Sequence, residues 1–90
     1  MPGYPIELDL SGRMVLVVGL GAVGRRKASG LAAAGARVIA VDPAAEGALS
    51  LPGAIEVRCE PYRAAHLEGV TLAFAAATEE VNRQVVADAR

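Results

Sequence analysis

The sequence has 90 residues, 53% of them hydrophobic and 3% aromatic, with nine Lys and Arg against ten Asp and Glu for a formal net charge of −1. That length accommodates one small domain, residues 1–90, whose core must be filled by Ala, Val, Leu and Ile because Trp is absent. The balanced charge argues against a nucleic-acid partner, and apolar runs such as Leu72–Ala77 are far shorter than the roughly 20 residues of a membrane helix.

One cysteine, Cys59, excludes an intramolecular disulfide framework and a Cys-rich zinc site. The N-terminus shows no basic segment followed by an apolar one, so the chain is expected in the cytoplasm.

Met1-Pro2-Gly3-Tyr4-Pro5 is a turn-rich lead-in. Ile6, Leu8 and Leu10 then alternate with Glu7 and Asp9, as in a short edge strand or extended arm, and Ser11-Gly12-Arg13 turns. Met14-Val15-Leu16-Val17-Val18 is a continuous apolar run, the pattern of a strand covered on both faces of a parallel sheet. After the glycine-rich segment Gly19–Gly24, Val23, Lys27, Leu31 and Ala34 recur at helical spacing up to a stop at Gly35.

Arg37–Val41 is again strand-like and ends at Asp42-Pro43. Strand, helix and strand thus occupy about thirty residues, the length of one right-handed crossover unit. From Ala44 to Gly53 the pattern weakens, with one short helix expected over Ala45–Leu49. Ile55–Cys59 alternates like a peripheral strand, Pro61-Tyr62-Arg63 turns away, and Ala64–Glu68 fits one helical turn. Leu72–Ala76 has the pattern of another buried strand. Thr78 is placed to cap a helix whose first turn holds Glu79 and Glu80, and Val81, Val85 and Ala89 share one face of it.

This alternation predicts an α/β fold of three layers with a mostly parallel sheet ordered 3-2-1-4, a shortened Rossmann-like domain. Gly19-Leu20-Gly21-Ala22-Val23-Gly24 fits G-x-G-x-x-G between a predicted strand and a predicted helix, the context a dinucleotide-binding turn requires. Gly19 allows the tight turn, Gly21 lets the backbone approach a pyrophosphate, and Gly24 lets the helix pack closely. Main-chain N–H groups at the helix start then face the anion.

Asp42 follows Gly24 by 18 residues, near the roughly 20-residue offset of the carboxylate that binds the adenosine ribose. A carboxylate there repels the additional phosphate of NADP, and Pro43-Ala44-Ala45 supplies no arginine to receive it, so NAD is the expected cofactor. The competing role for Asp42 is to cap a turn before Pro43. Arg25, Arg26 and Lys27 set three cations against the positive end of the helix dipole, which an anionic ligand or a polycarboxylate substrate would offset. Their plainer role is that of solvated side chains, with Lys27 reaching past apolar neighbours to water. Thr78 lies at the same sheet edge as the glycine turn and is a second cofactor-binding candidate beside its role as a cap. Asn82 faces either that crevice or solvent. His66 and Cys59 are each alone of their kind and read as structural or surface residues, with no metal site expected.

Tyr4-Pro5-Ile6 with Leu8-Asp9-Leu10, Gly12-Arg13 and Val15–Gly19 resembles the start of siroheme synthase N-terminal domains, the precorrin-2 dehydrogenase/sirohydrochlorin ferrochelatase family. Arg26-Lys27, Ala34–Val38, Pro61-Tyr62 and Ala76-Ala77-Thr78 followed by Asn82 and Val85 look like further landmarks of that family. The resemblance implies NAD-dependent oxidation of precorrin-2 to sirohydrochlorin. It carries cofactor contacts onto the glycine turn, notably Ala22 and Val23, onto Asp42-Pro43-Ala44, and onto Thr78. It also implies that the family's catalytic aspartate falls beyond Arg90, so no catalytic residue is assigned within the chain. A homodimer or a completing second chain is expected. The turn departs from the family pattern in having Leu20-Gly21 for a third consecutive glycine, Gly24 for an alanine and Asp42 for an uncharged residue. The alternative from another class is a non-catalytic module that senses NAD or AMP.

Overall fold

In the computed structural model, which describes residues 10–44 and 55–90, strands and helices follow in the order β1 Met14–Val18, α1 Ala22–Ala33, β2 Arg37–Val41, β3 Ile55–Arg58, β4 Leu72–Ala75 and α2 Glu79–Asp88. A 3-10 turn over Ala64–Leu67 precedes β4. The expected arm over Ile6–Leu10, apart from Leu10, and the expected helix over Ala45–Leu49 lie outside the described residues.

All strand pairs are parallel, and the sheet order is β3-β2-β1-β4. The unbroken apolar sequence of β1 follows from its place between β2 and β4 with a helix over each face. In register, Val15 pairs with Val38 and Leu16 with Ile39, so alternate residues of both strands point to opposite layers. Val15, Val17, Val38 and Ala40 pack with Ala28 and Leu31 of α1. Leu16, Val18 and Val41 pack with Val85 of α2. Burying each such Val or Leu side chain contributes about 1.5–3 kcal/mol, so the two layers are held by the residues of β1 and β2 above all.

Two expectations need correction. The buried face of α1 is Gly24, Ala28 and Leu31, whereas Val23 is 62% exposed and Lys27 and Ala34 are also exposed. Small residues win that face because they let the helix axis approach the sheet, and side-chain hydrophobicity alone does not register this advantage. Leu72–Ala75 of β4 is half-buried throughout, because β4 is an edge strand of the sheet.

Local polar contacts fix the connections. Arg13 N–H donates to Leu10 O at 2.9 Å, closing the turn ahead of β1. Gly35 adopts φ +92° where α1 stops, a conformation that costs a glycine little. Between β3 and β4, the buried His66 accepts the N–H of Arg63 on Nδ1 at 2.9 Å, which leaves the ring proton on Nε2 to donate to Glu60 Oε1 at 2.6 Å. That bond, aided by the charge of Arg63, holds the Glu60 carboxyl below its ordinary range. His66 is therefore a structural residue, as expected. Tyr62 in the same connection donates its hydroxyl to Asp88 Oδ2 at 2.9 Å and ties this segment to the last turn of α2. Burial first, and the bond to Asp88 second, push the Tyr62 phenol up to about 12.

No helix among the described residues is long and apolar enough to cross a membrane.

Candidate functional site

The strands β1, β2 and β4 run in the same direction, so their carboxyl ends come together at one edge of the sheet. Ligand sites in open α/β sheets lie along that edge. Here it opens into a cavity of about 600 Å³, within the roughly 300–1,000 Å³ of small-molecule sites. Its floor includes Val18, Gly19 and Val41, the glycine turn contributes Gly21, and Asp42-Pro43-Ala44 forms one side. Ala76, Ala77 and Thr78 form the opposite side, with Tyr62, Val81 and Gln84 closing the far end.

The glycine turn is positioned by what surrounds it. Gly19 takes φ +101°, and a Cβ there would stand 2.6 Å from the carbonyl oxygen of Ala76. Its N–H donates to Val41 O at 2.8 Å, so β1 stays paired with β2 up to the turn. Gly24 is buried, and a Cβ on it would lie 1.8 Å from the carbonyl oxygen of Gly19. The third glycine thus packs against the first, a tighter contact than helix against sheet. Gly21 differs from both. A Cβ on it would meet nothing within 4 Å, and its φ of −70° suits any residue. Its bareness serves no internal packing and leaves the main chain open to a ligand.

Gly21 is the N-cap of α1 and has no side chain with which to accept the first helical N–H groups. The N-cap of α2 is the opposite case, since Thr78 Oγ1 accepts the N–H of Val81 at 3.3 Å. An anion at the start of α1 would find free N–H donors and the positive end of the helix dipole.

Asp42 joins the two halves of the edge. Its Oδ2 accepts the N–H of Leu20 at 2.7 Å, inside the glycine turn, and its Oδ1 accepts the N–H of Ala44 at 2.8 Å. The second bond is the turn cap anticipated before Pro43, and it coexists with a place in the cavity wall. Each carboxylate oxygen keeps acceptor capacity after one such bond.

Of the residues singled out from sequence, Gly19, Gly21, Asp42, Pro43, Ala44 and Thr78 meet around this cavity. Ala22 and Val23 begin α1 beside it and are exposed. Gly24 supports the turn from behind. The cations are placed elsewhere: Arg25 Nε donates to Leu20 O at 3.0 Å, Lys27 Nζ lies 4.9 Å from the centre of the Phe74 ring, and Arg26 is exposed beside Lys27 on a groove along α1. None of the three lines the cavity. Asn82 folds back on the Ala77 main chain, accepting its N–H at 2.9 Å, and so shapes the rim. Cys59 is exposed and donates its thiol to Pro43 O at 3.5 Å.

Sequence reading assigned no ligand role to Tyr62, Glu80 or Gln84, all of which line the cavity. For the last two a signal was available, because positions four apart on a helix that starts at the carboxyl edge share one face.

Residues 6–90 match the family described as "Putative NAD(P)-binding". The chain belongs to this NAD(P)-binding family. A glycine turn, a helix start without a side-chain cap and an acidic residue after the second strand are general features of dinucleotide-binding folds, and this chain has all three. The NAD(P)-binding chain is 43% identical over 94 residues to a siroheme synthase of Pseudomonas putida (strain W619), covering 100% of this chain and 20% of that protein. A siroheme synthase of Neisseria meningitidis serogroup C (strain 053442) is 44% identical over 86 residues, covering 91% and 18%. The chain therefore spans about a fifth of the length of these curated relatives. Among solved structures, "SirC, precorrin-2 dehydrogenase" superposes with a TM-score of 0.79 at 27% identity, covering 94% of this chain and 44% of that one.

Proposed function

We propose that the chain is the NAD-binding domain of a cytoplasmic precorrin-2 dehydrogenase, which oxidises precorrin-2 to sirohydrochlorin. The likeness to siroheme synthases and to a precorrin-2 dehydrogenase supports the substrate. The observation that carries the cofactor reading is the open face of Gly21 at the uncapped start of α1, next to a cavity that Asp42 borders. The residues present fit the dinucleotide. The pyrophosphate would lie against the main chain of Gly21, Ala22 and Val23, and Asp42 would accept the ribose hydroxyls with Pro43 and Ala44 beside it.

NAD is favoured over NADP for an electrostatic reason. A 2′-phosphate beside Asp42 would bring a second anion close to a carboxylate, and the exposed Pro43 and Ala44 offer no cation. When bound, NAD supplies the hydride acceptor, and the residues of this chain supply binding and orientation.

The test is a spectroscopic assay of NADH formation from precorrin-2 with this chain and with any longer form encoded by the gene, alongside calorimetric titration with NAD, NADP and FAD. NAD binding with NADH formation is the expected result. NAD binding without turnover by either form would remove the dehydrogenase reading and favour a nucleotide sensor, and no binding would remove both.

A further inference from the structure

Resting on the dinucleotide reading above, we propose that Glu80 and Gln84 make the far end of the cavity selective for adenine over 6-oxopurines. The cavity is lined by Gly21 of the glycine turn, by Asp42 at the end of β2, and by Tyr62 together with side chains of α2. With the pyrophosphate at the start of α1 and the ribose at Asp42, the base comes to lie at that far end, between the Tyr62 ring, Val81 and the polar side chains of α2.

Glu80 and Gln84 are four residues apart on α2 and both line the cavity. The Gln84 amide is oriented by its neighbour: Nε2 donates to Asp88 Oδ1 at 2.8 Å, while Asp88 Oδ2 takes the Tyr62 hydroxyl. A carboxylate only accepts, so turning the amide over would set oxygen against oxygen. Oε1 of Gln84 is thereby reserved as an acceptor. The Glu80 carboxylate is a second acceptor and donates nothing. The Tyr62 hydroxyl proton is committed to Asp88, whereas Thr78 Oγ1 accepts the Val81 N–H as a cap and keeps its own hydrogen to donate at the start of α2. Glu80 and Gln84 together thus present three acceptor oxygens against one remaining amide hydrogen of Gln84.

Adenine matches this edge because its 6-amino group carries two hydrogens, one for each acceptor side chain. Hypoxanthine offers a single hydrogen, at N1, and turns the lone pairs of O6 toward the second acceptor. An unmatched acceptor pair at a rim open to water lowers affinity several-fold rather than abolishing binding.

Calorimetric titration of the protein with NAD and with nicotinamide hypoxanthine dinucleotide, which differ only in replacement of the 6-amino group by oxygen, tests the assignment. NAD should bind about fivefold more tightly, and the double variant Glu80→Met/Gln84→Met should bring that ratio close to one by weakening NAD binding several-fold. Equal affinities in the unmodified protein, or an unchanged ratio in the variant, would overturn the assignment and leave the dinucleotide reading standing. Absence of binding by both compounds would overturn that reading and this assignment together. The comparison in the unmodified protein decides the matter should the variant not fold.

Discussion

The carboxylate of Asp42 and the N–H of Leu20 meet at 2.7 Å although the residues are 22 positions apart in the chain. Through this bond the end of β2 holds the glycine turn that follows β1. The same side chain therefore has a structural task beside the ligand-binding one proposed for it, and the two can be separated by experiment.

Asp42→Ala leaves the N–H groups of Leu20 and Ala44 without their acceptor, and Leu20 is buried. Stability should fall by about 1–3 kcal/mol, read as a lowered midpoint of thermal or urea unfolding. Asp42→Asn keeps one acceptor and turns an NH2 group toward the other N–H, so its loss should be intermediate. In calorimetry both variants should bind NAD more weakly and show a smaller preference for NAD over NADP. An unchanged preference would remove Asp42 from the ribose site.

Gly21 and Gly24 should separate binding from folding. A methyl group on Gly24 would collide with the Gly19 carbonyl, and main chain cannot yield as a side-chain end can. Gly24→Ala should cost about 3 kcal/mol or more in chemical unfolding. Gly21→Ala places its methyl in open space at an ordinary φ, so stability should change by under about 1 kcal/mol. Its NAD affinity should nevertheless drop at least tenfold, because the methyl group would occupy the surface assigned to the pyrophosphate.

Lys27→Met tests the placement of the cation over Phe74. Loss of the cation–π contact at a partly exposed site should lower stability by about 0.5–1 kcal/mol. NAD affinity by calorimetry should stay within twofold, since Lys27 lies outside the cavity. A larger fall would bring Lys27 into the site.

Tyr62 sets an alkaline limit. Its phenol is raised to about 12 in the fold and lies near 10 in an unfolded chain. Above about pH 10 the unfolded state releases a proton that the folded state retains, so the unfolded state is favoured as pH rises. The stabilisation is complete below about pH 10 and is lost between about pH 10 and 12. Unfolding midpoints of the unmodified protein should fall more steeply over that window than those of Tyr62→Phe. Parallel curves would mean that the phenol does not carry the effect.

The strands were legible in the sequence because a parallel strand covered on both faces is an apolar run, and Met14–Val18 and Arg37–Val41 were bounded correctly for that reason. The α1 surface was misread because Gly24 and Ala28 have little apolar weight, although their smallness is what buries them. Asp42, Thr78, Gly19 and Gly21, which meet at the cavity, were picked out from spacing to a strand end or helix start, a local property of sequence. The roles of Tyr62 and Gln84 depend on Asp88, which lies 26 residues from Tyr62 and is brought beside it only by folding. His66 was read as a structural or surface residue and is buried in a structural hydrogen bond, while its partner Glu60 had no pattern to announce it.

β1 is bonded on both sides, and the turn that follows it begins with Gly19 still attached to β2. Amide hydrogens of β1 should accordingly exchange with solvent only on global opening, the slowest class in the molecule. The surface offered to a dinucleotide grows directly out of that protected segment, so its shape exists before the ligand arrives. Association then incurs little entropy loss for ordering the loop, and the affinity reflects the contacts themselves.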